Sequence, residues 1–493
     1  MKHAITQQLN RFRAILGSML LSMALASCST VSLDQFSFGG RNTQDSDPVA
    51  QSLPPEQRKE HERLVSTYGG IYRAPALEAL IEQTVERLNA ASEKPDLKYR
   101  VTILNSPAIN AFALPGGSLY ITRGLISLAN DTSELASVLS HEMAHVVARH
   151  AAIREDQIRA AVLNSRAISD TLSDPQLGAL ALARSRLSIA TFSRGQELEA
   201  DAVGVGIASR AGYDPYGASR FLTSMGRFAQ LRATSLGSNP PKEIDFLSSH
   251  PSTPERISIA VANAKQFVNQ RATERNRETL MRALDGVTYG DDPKEGFVRG
   301  RNFLHPNLGF AFTAPQGFAL ENTSQAVLGA SQNGREALRL DAVRVKETLS
   351  LPEYISKGWV EGINPATVEQ FQINGFEAAT ATARGEQWSF RLYAVRFGTD
   401  VYRIAFAARE LTPQLEAAFR EAALSFRKVS SEEAQGIRPL RIRLHRVAAG
   451  DTPERLAQQS AFADRHLERF LVLNGMQRTA KLTPGDYVKI VVE

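Results

Sequence analysis

The segment His141-Glu-Met-Ala-His145 constrains this chain more than any other feature. On a helix, positions i and i+4 share a face, so both imidazoles can reach one metal ion while Glu142 projects beside them. The surrounding sequence supplies the helix. Between Leu128 and His150 the apolar residues Leu135, Val138, Leu139, Ala144, Val146 and Val147 recur at helical spacing. Asp131 or Thr132 can cap the start, and Glu134, three residues beyond Asp131, completes a capping-box pattern. The spacing predicts one helix through this stretch with the histidine pair in its middle. His150 then falls on the opposite face and reads as a charge partner for the helix C-terminus.

A catalytic zinc takes three protein ligands and leaves a fourth position open. Glu197 and Asp201 lie four residues apart on a second plausible helix, Phe192 to Gly204, and so share a face. Glu197 suits the third ligand; Asp201 suits a partner that orients a ligating histidine and raises its basicity. Glu199 points elsewhere. With one zinc per chain on His141, His145 and Glu197, Glu142 is placed to take a proton from water as general base, the chemistry of a zinc peptidase. No paired-carboxylate or Ser-His-Asp arrangement suggests another hydrolase.

These residues together resemble the gluzincin peptidase family that includes HtpX, BepA and the CAAX prenyl proteases. Two further stretches carry the same likeness: Asn110-Ala-Phe-Ala-Leu-Pro-Gly-Gly-Ser-Leu-Tyr-Ile-Thr upstream, and Ser249-His250-Pro-Ser-Thr-Pro-Glu-Arg256-Ile downstream. The resemblance covers about residues 58 to 270. It is closest to the periplasmic BepA-like branch, because no run near 18 apolar residues interrupts the domain. It implies that Asn110, Ala111, Phe112 and Ala113 form the cleft edge that binds substrate as an added strand. It also implies that Arg256 supports the metal centre, and that His250 either occupies the open metal position or stabilises the oxyanion during turnover.

The N-terminus reads as an export signal. Lys2, Arg11 and Arg13 precede the apolar run 14–25, and Leu25-Ala-Ser-Cys28 resembles a bacterial lipobox. Cys28 is the only cysteine, so no intramolecular disulfide is available, and it stands where lipoprotein processing would acylate it. Ser29 in place of an aspartate points to the outer membrane. The expectation is therefore a periplasmic protein anchored to the membrane through its lipid. Net charge is uninformative, and no basic tract argues for nucleic acid.

The predicted fold class is α+β: a mainly helical zincin-like metallopeptidase domain with a small sheet, then an α+β domain, then a small βααβ module. The boundaries read 1–28 signal and lipobox, 29–57 flexible tether, 58–270 peptidase and 271–295 helical linker, with a charged helix from about Ser258 to Leu284. His61 reads as a surface residue, and residues 151–190 as helices covering the cleft. In 296–430, alternating segments at 308–313, 337–345, 387–397 and 401–408 predict half-buried antiparallel strands, followed by a helix at 413–425; His305 is structural. Residues 436–493 resemble a LysM domain, which implies peptidoglycan binding with Tyr487 and the surroundings of Asp451 facing saccharide; the module reads as removable without loss of zinc. The function expected is degradation of unfolded or misassembled envelope proteins. The rivals are a zinc-bearing periplasmic chaperone and a peptidoglycan-anchored scaffold, and an intact Glu142 argues against a non-catalytic protein.

Overall fold

The computed structural model describes residues 47–172, 193–236, 250, 253–267, 273–357, 359–462 and 464–493. Cys28 and residues 173–190 of the expected cleft cover lie outside the described residues. Among the described residues no helix is long and apolar enough to cross a membrane.

The N-terminal domain opens with helices α1 (Pro48–Ser52), α2 (Pro55–Thr67) and α3 (Pro75–Ala90). A three-stranded sheet follows, β1 (Arg100–Leu104), β2 (Ala111–Leu114) and β3 (Ser118–Thr122), in the order β1-β3-β2. Next come α4 (Arg123–Leu128), α5 (Thr132–Val147), α6 (His150–Leu172), α7 (Arg194–Arg210), α8 (Gly217–Leu236), α9 (Pro254–Lys265) and α10 (Arg277–Leu284). The core joins Leu77, Ile81 and Leu88 of α3, Ile103 and Ile121 of the sheet, Leu135, Leu139 and Met143 of α5, and Phe221 and Met225 of α8. Each such side chain contributes about 1.5–3 kcal/mol by leaving water.

Four expectations give way here. The last residues of the predicted tether, 48–52 and 55–57, are helical, and Asp47 caps α1. His61 is not on the surface: it is fully buried, with its ring nitrogens 2.8 Å from the Tyr120 hydroxyl and 2.7 Å from Asp47. Charged neighbours in sequence mask its position because it lies on the inner face of an otherwise solvated helix. The predicted charged helix from Ser258 to Leu284 is two helices, α9 and α10. The latter is no linker, since Leu280, Leu284 and Val287 enter the peptidase core.

The second domain packs two antiparallel sheets with helices. The larger joins, in order, β10 (Glu369–Ile373), β11 (Phe376–Arg384), β12 (Ser389–Phe397), β13 (Asp400–Ala408), β9 (Glu336–Arg344), β8 (Val327–Ser331) and β7 (Phe318–Asn322), with β12, β13 and β9 at its centre. The strands expected to be half-buried include β13, which is buried on both faces. Tyr402, Ile404 and Phe406 face one apolar cluster with Phe419 of the helix Pro413–Leu424, while Val401, Ala405 and Ala407 face another with Leu351 and Ile355.

The terminal segment forms strand β15 (Arg441–Arg446), helices Pro453–Gln458 and His466–Leu473, and strand β16 (Tyr487–Val492), with β15 and β16 antiparallel. It is fused to the peptidase domain rather than appended. Gly286 N–H donates to the Ile442 carbonyl, Ile442 N–H to that of Val287, and Ile442 enters the peptidase core. Lys489, fully buried, donates through Nζ to the carbonyls of Ser127 and Ala129 at 2.7 and 2.8 Å, just ahead of the Asp131 cap of α5. Removal of this module would therefore strip the peptidase core. Lys489→Met should orphan both carbonyls at about 1–3 kcal/mol each and lower the thermal unfolding midpoint of the full chain; an unchanged midpoint would show that this contact contributes nothing to stability.

Candidate metal centre

Helix α5 is central because every residue from Thr132 to His145 is buried. Polar groups near its start and on its serines are met locally: Asp131 accepts from the Glu134 N–H, the Asn130 N–H donates to the Glu134 carboxylate, and Ser137 and Ser140 donate to carbonyls three residues back. Helix α7 starts on a reciprocal capping box between Ser193 and Gln196, which sets Glu197 in its first turn. The two helices approach closely at Gly204, where an added Cβ would lie 3.0 Å from the His141 nitrogen and 3.1 Å from its Cα. A side chain there would meet the α5 backbone at closer than ordinary van der Waals distance.

This approach brings together His141, His145, Glu197 and His250, whose potential donor atoms all lie within 4.8 Å of one another. The His141 and His145 Nε2 atoms are 3.1 Å apart, and they stand 3.7 and 3.5 Å from Glu197 oxygens. His250 Nδ1 is 3.2 Å from His141 Nε2 and 2.8 Å from Glu197. Donors held about 2.0–2.2 Å from a tetrahedral zinc are separated by about 3.4 Å, so the observed spacing fits that ion. Glu197 makes the same case, since it is buried and neither of its oxygens has an aligned hydrogen-bond donor.

The surroundings prepare both imidazoles. His141 Nδ1 is 3.0 Å from Asp201, and Arg256 clamps Asp201 with two bonds of 2.8 and 2.7 Å while its Nη1 stands 2.9 Å from Glu197. Burial would raise the Asp201 carboxyl, but hydrogen bonds from Arg256 and His141 hold it well below the usual range. Burial lowers the histidines: His250 falls to about 3, and His141 falls despite Asp201. Neutral imidazoles are the form that binds metal. Glu142, buried near Glu197, is pushed well above the carboxylate range by desolvation and that neighbouring charge, against a hydrogen bond from the Ala113 N–H.

That last bond ties β2 to the centre. The strand lies at the sheet edge, paired only with β3 among the described residues. Of the residues expected to line the cleft, Ala111 is buried, Phe112 stacks on Tyr120 at 4.9 Å, and Ala113 reaches Glu142. Asn110 departs from the expectation. It is buried, its amide donates to the Tyr68 hydroxyl and its carbonyl accepts from Thr122, so it anchors the strand instead of lining the cleft.

His150 is also placed differently. Helix α5 ends at Val147, and Arg149 adopts a left-handed conformation with φ of 57° before α6 begins. The reversal carries His150 back to His145, with Nδ1 atoms 2.9 Å apart, and buries it. A sequence of Val-Val-Ala-Arg-His contains no glycine to announce the break, and a non-glycine residue at positive φ costs about 1–2 kcal/mol, so helical extrapolation ran past it. Glu199 lies 3.3 Å from His150 Nε2, off the metal-facing side of α7. In the terminal module Asp451 accepts from His445 and from the Ala448 N–H, and Tyr487 lies beneath Arg282 at 5.5 Å.

Known proteins resemble part of this chain in sequence. Residues 75–263 match the model of peptidase family M48. The β-barrel assembly-enhancing protease of Yersinia pestis is 34% identical over 202 residues, 39% of this chain and 40% of that protein. The protein of the same name in Escherichia coli K12 is 31% identical over the same shares. The mitochondrial metalloendopeptidase OMA1 of Schizosaccharomyces pombe is 34% identical over 179 residues, 36% of this chain and 50% of that protein. The chain thus spans well under two thirds of the length of these relatives. Residues 75–263 are similar to peptidase family M48, and the chain shares stretches of about 200 residues with the β-barrel assembly-enhancing proteases.

Proposed function

We propose that this chain is a zinc-dependent endopeptidase that degrades unfolded or misassembled envelope proteins in the bacterial periplasm. The observation that carries the reading is the convergence of His141, His145 and Glu197 on one point with the Glu142 carboxylate beside it. Zinc held by such a trio supplies acidification of water toward neutral pH and polarisation of the scissile carbonyl. Glu142 takes the proton from water and delivers it to the leaving amine. Substrate adds as a strand along the edge of β2 that pairs with no strand among the described residues, where backbone hydrogen bonds ignore side-chain identity, which fits unfolded chains better than folded ones. The relatives' name, β-barrel assembly-enhancing protease, supports an envelope substrate.

Glu142→Gln is expected to keep zinc at one equivalent while cleavage of an unfolded protein is abolished; His145→Ala and Glu197→Ala should lose the metal as well. Elemental analysis beside a cleavage assay, with and without chelator, decides it, and wild-type turnover by Glu142→Gln would overturn the mechanism.

His250 is the resting occupant of the fourth position in this reading, because its Nδ1 stands among the donor atoms. His250→Ala should then raise cleavage of unfolded substrate. A fall of about a hundredfold with zinc retained would instead assign it to the oxyanion.

The reading of the N-terminus as an export signal ending at Cys28 supports attachment to a membrane surface by a lipid anchor, and the likeness of residues 436–493 to a LysM domain supports a contact with peptidoglycan. Cys28→Ala should move the protein from the membrane to the soluble fraction, since stable anchoring requires acyl chains. Sedimentation of that soluble variant with purified peptidoglycan tests the module; recovery in the supernatant would remove the glycan role.

A further inference from the structure

The two ligand imidazoles are held by different devices. His141 Nδ1 meets a carboxylate directly, at Asp201. His145 Nδ1 meets another imidazole, His150 Nδ1 at 2.9 Å, whose far nitrogen lies 3.3 Å from Glu199. His150 is 1% exposed, while the Glu199 side chain is 59% exposed, so the chain of contacts runs from the metal centre to the surface.

Proton counting permits one arrangement in this row. A neutral imidazole carries one N–H and one acceptor nitrogen. His145 presents Nε2 to the donor cluster, where a ligand nitrogen must be bare, so its proton lies on Nδ1. The His150 nitrogen facing it must accept. The proton of His150 is then on Nε2, which is the atom that faces the Glu199 carboxylate. Every donor in the row meets an acceptor, and the strained backbone at Arg149 is what turns His150 into place.

We infer that His150 is a positioning residue for the metal centre, accepting the Nδ1 proton of His145 and thereby fixing the tautomer and ring plane that aim Nε2 at zinc. This deepens the zinc-peptidase reading and rests on it. Partners of this kind typically govern 10- to 100-fold in metal affinity.

The test uses the full chain and reads zinc affinity by competition with a chromophoric chelator, together with the visible spectrum of the cobalt-substituted protein. His150→Leu, which fills the space without an acceptor, should weaken zinc by about 10- to 100-fold and alter the cobalt bands. His150→Asn, whose Oδ1 stands near the position of Nδ1, should restore affinity to within about threefold of wild type. Wild-type affinity in His150→Leu overturns the inference, as does an Asn variant as weak as the Leu variant, which would show that packing alone matters. A measurement without any variant guards against misfolding: 15N-histidine spectra of the zinc-loaded wild type should show His150 protonated at Nε2 and bare at Nδ1, and the opposite tautomer overturns the role. A wild-type chain that binds no zinc removes the underlying reading; equal binding by wild type and His150→Leu overturns the positioning role alone.

Discussion

The close approach of helices α5 and α7 across Gly204 is the constraint on which the metal centre depends. Zinc ligands from two helices can meet only if the backbones stand near enough for an imidazole and a carboxylate to span the gap. An added Cβ would lie 3.0 Å from the His141 nitrogen, so the helices would have to give by a few tenths of an ångström. Shifts of that size matter to a site whose donor distances must hold to within about 0.2 Å. The Asp201–Arg256 clamp holds the same junction from the other side. It places a fixed cation beside Glu197 and a fixed anion beside His141, so the buried charges are paired.

Burial of α5 on all sides explains the remaining architecture. A helix with serines, glutamates and histidines enclosed along its length requires partners for each polar atom, and the fold recruits them from distant segments. Arg220 of α8 and Arg275 reach the Asp131 cap, and Lys489 from the terminal module bonds the carbonyls just before it. The terminal module is therefore part of the support of the catalytic helix, whatever its outer surface binds.

In the proposed reading, edge strand β2 links substrate capture with chemistry. Its Ala113 N–H is engaged with the Glu142 carboxylate, so the segment proposed to pair with substrate is in contact with the base proposed to cleave it.

What the sequence determined by itself were features written in short-range periodicity. The i, i+4 spacing put His141 beside His145 and Glu197 beside Asp201, the capping residues announced the start of α5, and the period-two segments announced the strands of the second domain. These are legible because a helix or strand imposes the same face relations wherever it packs. Tertiary structure alone decided the rest. His61 is buried against Asp47 and Tyr120, 14 and 59 residues away, and Lys489 against Ser127 and Ala129, 362 and 360 residues away, and no local pattern encodes such partners. Arg149 ends a helix in a conformation that non-glycine residues rarely adopt, held only by the packing around it, and that one reversal moved His150 from the predicted far face to the side of a zinc ligand. The metal centre was legible as a list of ligands, whereas the partners that orient them belong to the folded chain, because hydrogen-bond direction depends on where the backbone turns.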